Sequence, residues 1–438
     1  MMHLPPNHPQ RYSLSNEIHA RPPPEIVAPE RLSYVAIHYD VGHASAATAD
    51  LRRLCTIWGR TAPLEDVTHF EISHGDVRLK WECHTEFATY TFSKNEAFHR
   101  PFETPVILSV DTGWMAQISG QLIVAIHLAV QKNQSTLPEL TGVADEFDGN
   151  VLVGAKVAGS NGLVLTDLKL HADDFGRMLV IDFQLGQRQC GRTVQRLLEI
   201  ETYRMMALLG LPVARKTAAL LGDLESDLAA VTLLMAQDTS QDEPALLVRL
   251  TRLAASVESE VAANSFRFGA SAAYYDLVKR RISELREERL VGIQTIGEFL
   301  DRRLAPAMAT CASVKKRLLD LSGRVARASD LLRTRVDIER ERQNQALLAS
   351  MNHRARMQLR LQQTVEGLSI AAISYYVVGL VGYAAKAMKE GGVPLSPELV
   401  TGGSIPLVVL AIWLAVRRVR KSLGVEQDAA PSSPTSRS

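Results

Sequence analysis

The chain has 438 residues, of which 46% are hydrophobic and 22% charged, and its formal net charge is +1. That length supports one large or two medium domains with substantial cores, and the near-neutral balance argues against a nucleic-acid partner, which needs a basic surface to displace counterions from phosphates. Cys55, Cys83, Cys190 and Cys311 lie far apart with no CxxC pair, so they read as reduced, mostly buried thiols and exclude a disulfide frame or a zinc site.

The start, MMHLPPNHPQRYS, is polar and Pro-rich with no apolar core, so it is no secretory signal. Residues 1–32 read as an extended segment. Within it NEIHARPP places Glu17, His19 and Arg21 on one side of an extended backbone, whose side chains alternate with period two. Such a trio can supply a base and an anion clamp. Ahead of Pro22-Pro23-Pro24 it can equally pin the N-terminus across a sheet through charge-assisted hydrogen bonds. The structural role is the expectation, because no nucleophile elbow, phosphate loop or HExxH motif completes a site.

Residues 33–187 read as a mixed α/β domain. SYVAIHY is a strand, and residues 44–60 are helical, with Ala47, Leu51, Leu54 and Trp58 along one face. VTHFEIS and VRLKWECHTEFATYTF follow as two alternating runs around His74-Gly75-Asp76, a hairpin by its turn chemistry. QLIVAIHLAV is another strand, LPELTGVADEFD a helix, and VLVGAKVA with LVLTDLKL a second hairpin around Asn161-Gly162, before a last strand in RMLVIDF. The repeated order of strand, helix and hairpin suggests a duplication, although the residues of the two passes do not match. On the second run Lys80, Glu82, His84 and Glu86 alternate and share a face. Glu82, His84 and Glu86 are therefore candidate ligands for a divalent cation; the competing reading is a solvated or covered strand face whose charges pair across strands.

Residues 188–363 read as long helices. QRLLEIETYRMMALLGL is helical up to Pro212, which ends or kinks it. From Ser265 to Gln363 the only proline is Pro306. Leu318, Leu321, Val325, Ala328 and Leu332 alternate spacings of three and four, the seam of a coiled coil or a long bundle helix. That register fails at Arg335, and a stripe of Met357, Leu361, Val365 and Leu368 then runs straight into an apolar segment.

Residues 364–420 read as a transmembrane hairpin. Leu368 to Met388 holds one charge, Lys386, in 21 residues, and Leu399 to Val416 is 18 residues long and apolar. Each is about long enough to cross ~30 Å of hydrocarbon at about 1.5 Å per residue. Arg354, Arg356 and Arg360 precede the first span and Arg417, Arg418, Arg420 and Lys421 follow the second, while the loop KEGGVPLSPE holds one lysine against two glutamates. By the positive-inside rule both chain ends are cytoplasmic and only that loop crosses. The arginines before the first span are candidates for holding acidic headgroups. Tyr376, Gly379, Gly382 and Tyr383 are candidates for packing or pore lining, since small residues and hydroxyls favour a helix–helix or pore-facing side over lipid. EQDAAPSSPTSRS, within residues 421–438, reads as a disordered tail.

NEIHARPP, LKWECHTEF at Leu79 to Phe87 and RLLEIETYRMMALLGLPVAR at Arg196 to Arg215 together resemble one bacterial family. So do RRLAPAM, RASDLLRTRVD and QQTVEGLSIAAISYYVVGLVGY. The family is the one catalogued as domain of unknown function (DUF) 3422, and the resemblance runs from about Ser15 to Lys421. It implies a membrane-anchored protein and brings no reaction. The order of parts is also similar to that of the CorA-like magnesium channels, but their Gly-Met-Asn signature is absent from the chain.

The expected fold is an α+β N-terminal cytosolic domain, then a helical bundle or coiled coil, then the two-helix hairpin. The expected function is that of an oligomeric anchor, assembly or sensing protein of the bacterial inner membrane, with the lipid bilayer and further copies of itself as partners. A CorA-like divalent cation channel and an enzyme built on NEIHARPP are the alternatives. No cofactor is expected, and a divalent cation is the one ligand left open.

Overall fold

The computed structural model describes residues 5–17, 22–39, 44–63, 67–133, 140–237, 243–391 and 396–424. Within those stretches Ser13, Asn16, Glu17, Ala44, Thr141 and residues 419–424 are described by backbone alone. Two compact units divide the chain, Met1–Leu332 and Arg333–Ser438.

The first unit opens with a short helix, α1 (Arg11–Glu17), so the N-terminal stretch is not extended throughout. The Gln10 amide donates to His8 Nδ1 at 3.2 Å and the Arg11 amide to the His8 carbonyl at 2.9 Å, which starts a helical turn just past Pro9.

An eight-stranded sheet follows. Its central strand β1 (Glu30–His38) lies after the N-terminal segment and before α2 (Ala44–Ile57). On one side β1 pairs with β4 (Phe87–Lys94), then come β3 (Val77–Cys83) and the edge strand β2 (His69–His74). On the other it pairs with β5 (Gln121–Lys132), then come β8 (Gly176–Asp182), β7 (Gly162–Leu170) and β6 (Val153–Val157). Two short helices, α3 (Thr112–Ala116) and α4 (Leu140–Ala144), flank β5 in the chain. The two halves thus share a spatial order, β1-β4-β3-β2 against β5-β8-β7-β6. Their directions differ: β1 and β4 are antiparallel, whereas β5 and β8 are parallel. A simple duplication would keep both.

The run VRLKWECHTEFATYTF, expected as one strand, is two. The chain folds back at His84-Thr85-Glu86, and the last rung before the turn pairs Cys83 with Ala88. The Tyr39 amide donates to the Glu86 carbonyl at 2.8 Å, and the Glu86 side chain pairs with Arg267 from a distant helix. These long-range partners have no trace in periodicity. A local signal does exist, because buried residues sit at odd positions before the turn (Val77, Leu79, Trp81) and at even ones after it (Ala88, Tyr90, Phe92).

One face of this half-sheet carries an aromatic core in which Trp58, Trp81, Tyr90, Phe92 and Trp114 pack beneath α2. Asp111 caps α3 by accepting from the Trp114 amide at 2.7 Å, and the Trp114 indole donates to the Asp50 carbonyl at 2.8 Å. The other face meets α5 (Gln187–Leu208) and α7 (Glu243–Leu285), with Leu32, Leu128 and Val180 in one core with Val194, Leu197 and Phe268. Between these helices lies α6 (Gly210–Ala236), which starts two residues after α5 ends. Pro212 therefore falls in the first turn of a new helix, where its missing N–H has no partner to lose.

The last long helix, α8 (Ile296–Glu390), has 95 residues and carries Pro306 near its start. The proline-poor stretch from Ser265 is divided between two helices: α7 ends at Leu285, and Gly292 in the connection has φ 92°. Lys156 and Glu288 exchange backbone hydrogen bonds at 3.0 and 2.8 Å, hooking that connection to the edge strand β6. The Glu287 carboxylate then accepts the free amides of Ile296 and Gly297 at 2.9 and 3.0 Å, capping α8. Burial pushes the Glu287 carboxyl up, and those two amides pull it the other way.

The stripe Leu318, Leu321, Val325, Ala328 and Leu332 is buried against this chain's own helices. It shares a core with Leu221, Leu224, Leu228 and Val231 of α6 and with Leu246, Leu250, Leu253 and Val257 of α7. The alternating three-four spacing on all three helices gives a bundle, and no second chain is needed to bury that seam.

The second unit holds the remainder of α8 and α9 (Pro397–Gly424). These two helices are long and apolar enough to cross a membrane.

Candidate functional site

On β2, β3 and β4 the residues that point away from the aromatic core are polar. Cross-strand register sets them in three rows: His69, Glu82 and Thr89; Glu71, Lys80 and Thr91; Ser73, Arg78 and Ser93. Period-two alternation forces this, because Phe70, Ile72, Leu79, Trp81, Tyr90 and Phe92 take the opposite face.

What lies beside this polar face is the N-terminal segment. The Lys80 ammonium donates to the Pro22 carbonyl at 3.0 Å and stands 3.1 Å from the Glu82 carboxylate. Arg78 pairs with the buried carboxylate of Glu30, which also accepts from the Val27 amide. Pro24 and Ile26 share with Glu71, Arg78, Lys80 and Thr91 the wall of a cavity of about 270 Å³. Beyond it the segment docks on α5: the Ile26 amide donates to the Gln187 carbonyl at 3.3 Å, and Arg188 pairs with Glu25 at 2.9 Å. The arrangement matches Lys80 with Glu82 and Arg78 with Glu30, and it spends a backbone carbonyl on one of the cations. Its chemistry is that of a brace that holds a chain segment on a sheet. The Thr89 hydroxyl is buried and has no partner among the described residues.

Several candidates from the sequence take other places. Glu17 ends α1, so the period-two spacing fails at its first member, and His19 and Arg21 lie outside the described residues. His84 and Glu86 leave the strand at the turn. The His84 ring stacks on Phe87 with centroids 4.3 Å apart, while Glu86 is buried against Arg267 and beside Tyr274. Burial first, and then the Glu86 charge, raises the Tyr274 hydroxyl. Glu82, His84 and Glu86 are therefore not gathered, and no group of three or more His, Cys, Asp or Glu able to hold a metal ion occurs among the described residues.

A second polar cluster escaped the sequence reading. His127, inside the apolar run of β5, places Nδ1 3.0 Å from the Ser33 hydroxyl and Nε2 3.4 Å from Asp173, and its ring stacks on Phe175 at 3.9 Å. Burial lowers its pKa to about 4; Asp173 opposes that shift and Arg177 adds to it. Ser33 is fully buried and its hydroxyl accepts from the Ile107 amide at 3.0 Å, so this serine presents no nucleophile. Nearby, His171 stands between Asp148 at 2.7 Å and Asp167 at 3.0 Å. A lone polar residue in an apolar strand was the available signal, but its partners come from other strands and from the loop after β7.

In the second unit Gly379 and Gly382 of α8 differ. A side-chain carbon at Gly382 would lie 3.2 Å from the Thr401 hydroxyl of α9, whereas one at Gly379 would meet open space. Tyr376 and Tyr383 are exposed. Arg354, Arg356 and Arg360 are exposed on α8. On α9 Arg418 is also exposed, and Arg417 lies 5.0 Å over the Trp413 ring. The side chains of Arg420 and Lys421 lie outside the described residues.

The family described as "Protein of unknown function (DUF3422)" matches residues 6–423. No curated protein and no solved structure matches the chain, so the likeness to CorA-like channels has no solved structure behind it.

Proposed function

The chain belongs to the DUF3422 family, and from that premise we propose that it is an integral protein of the bacterial inner membrane with an assembly or sensing role. The sheet and bundle form its cytosolic part, α8 and α9 anchor it, and both chain ends lie in the cytoplasm. Further copies of the chain associate in the bilayer.

The observation that carries this reading is the outward direction of the apolar side chains. Leu380 is 66% exposed and Leu407 69%, and the 18-residue apolar window of α9 has no residue buried inside the structure. A core helix of a water-soluble protein would bury such residues, at roughly 1.5–3 kcal/mol for each large side chain. Among the described residues nothing covers them. The arginines at both flanks and the sparsely charged loop support that orientation. The polar face under the N-terminal segment supports a structural role for that segment and leaves catalysis unsupported.

Reporter fusions test the arrangement. A fusion after Val393 should report the outer side, and one after Ser438 the cytosol. Truncation before Thr364 should move the protein from the membrane fraction to the soluble one. A cytosolic signal from the Val393 fusion would overturn the hairpin.

A further inference from the structure

A cavity of the first unit is unrelated to the N-terminal brace. It lies between α7 and α8 and measures about 640 Å³. Its origin is legible in the residues: Ala272 on α7 and Ala305, Ala309 and Ala312 on α8 put methyl groups where the rest of the bundle uses leucines. Methyl groups are too short to fill the space between the two helices, and a groove stays open there. Phe268 and Met308 give it further apolar wall.

Two polar features break the apolar lining. Ser271 forms part of the wall, is 1% exposed, and its hydroxyl has no hydrogen-bond partner among the described residues. At the far end stand Lys315 and Lys316. Neither forms an ion pair among the described residues, whereas Asp276 at the same groove is taken by Lys279 at 2.7 Å. Asp320, whose carboxylate has no ion pair among the described residues, borders this end as well, so two lysines face one carboxylate.

We propose that this groove binds a single-chain amphiphile with an anionic head, a long-chain carboxylate or phosphate monoester. The alanine-walled channel takes the chain, and Lys315 and Lys316 take the head. The volume falls within the range of small-molecule sites, and an apolar wall with a few convergent polar groups is their usual composition. From Ala305 to Leu319 the groove follows α8 for about 21 Å, the reach of an extended acyl chain. A lysine pair suits either head, because an ammonium acts as a point charge and makes no demand for a planar partner.

Photoactivatable palmitate tests the site, with the full chain in nanodiscs of phosphatidylcholine. Saturable labelling should map to peptides that contain Ala309 and Ala312. Ala309→Trp fills the groove from an exposed position and should abolish that labelling. Lys315→Ser together with Lys316→Ser should weaken binding roughly tenfold while the helix content stays the same. Competition by lysophosphatidic acid and by free palmitate separates a membrane-derived phosphate amphiphile from a free fatty acid; displacement by either supports the site and names its source. Labelling that is unsaturable, or that neither variant changes, overturns the proposal. So does an Ala309→Trp protein whose oligomer size falls while labelling persists, since that outcome makes the groove a contact between copies.

Discussion

Gly191 on α5 and Pro24 in the N-terminal segment approach so closely that a side-chain carbon on Gly191 would occupy the space of the Pro24 carbonyl. The neighbour is backbone and cannot rotate away. Gly191→Ala should therefore push the segment off α5 and lower the stability of the full chain by about 1–3 kcal/mol, the usual range for overpacking. Gly222 in the interior of α6 is the matched control, with open space around it. There alanine should raise stability by about 1 kcal/mol, because glycine is a poor helix former. Melting of both variants in detergent decides it; equal effects would remove the close contact as the cause.

Lys80 joins the segment to the sheet, so its removal should act on both. Lys80→Met leaves the Glu82 carboxylate, with a side chain 15% exposed, without its cation, and leaves the Pro22 carbonyl without its donor. A loss of roughly 2–3 kcal/mol follows. Adding Glu82→Leu should restore part of it, because an apolar pair of similar volume carries no charge to desolvate. If the double variant is the less stable of the two, the ion pair is not the brace.

The same reading covers the segment's own polar residues. If His19 and Arg21, which lie outside the described residues, brace the segment as the sequence suggests, His19→Ala or Arg21→Ala should lower the melting temperature, by ~1–3 kcal/mol for each hydrogen bond so removed. Unchanged or raised stability with a lost cellular phenotype would point to binding or catalysis, whose groups are often held at a cost to stability.

Local pattern explains why some of this was readable. α2 was legible because Leu51, Leu54 and Trp58 repeat on one face, and the bundle because leucines on α8 repeat at three and four. The β3–β4 turn and the α7–α8 break were not, because their causes are distant: Arg267 holds Glu86, and Lys156 holds Glu288. The polar sheet face was half visible. Lys80 and Glu82 do share it, but the residue that brings Lys80 to the N-terminal segment is Pro22, through a carbonyl that every residue has. Likewise His127 was not legible as a site, because it is a lone polar residue in an apolar strand whose partners Ser33 and Asp173 lie far from it in the chain.

His127 predicts a pH dependence. An unfolded imidazole binds its proton near pH 6.5, the folded one near 4, with burial as the main cause. Between these values the unfolded chain holds more protons, so stability rises with pH. The contribution is complete above about pH 6.5, is lost as pH falls toward 4, and amounts to about 3 kcal/mol at most. Ser33, Asp173, Arg177 and the Phe175 ring are the groups around it. His127→Asn removes the titration, so the fall in melting temperature between pH 7 and pH 5 should be smaller in the variant. Parallel profiles would assign the acid sensitivity elsewhere.

The last prediction concerns the apolar helices, where Gly379 and Gly382 of α8 separate two contacts. Gly382 faces Thr401 of the same chain and Gly379 faces open space, although only three residues divide them. Tyr376 and Tyr383 are exposed, and the Tyr376 ring stands edge-on to Tyr375 with centroids 6.0 Å apart. Gly382→Leu would drive a branched side chain into Thr401 and should part α8 from α9, with loss of thermal stability whatever the oligomer does. Gly379→Leu has room within the chain. Its effect therefore reads the neighbour: a smaller oligomer in native mass spectrometry places Gly379 between copies, and an unchanged one leaves α8 and α9 as a plain anchor. In the first case Tyr376→Phe should preserve assembly, and any change in ion conductance would then belong to the hydroxyl. Purified protein in liposomes with a divalent-cation dye completes the test. No protein-dependent flux of magnesium, cobalt or nickel, with oligomer and orientation verified, would sink a CorA-like channel and leave the anchor standing.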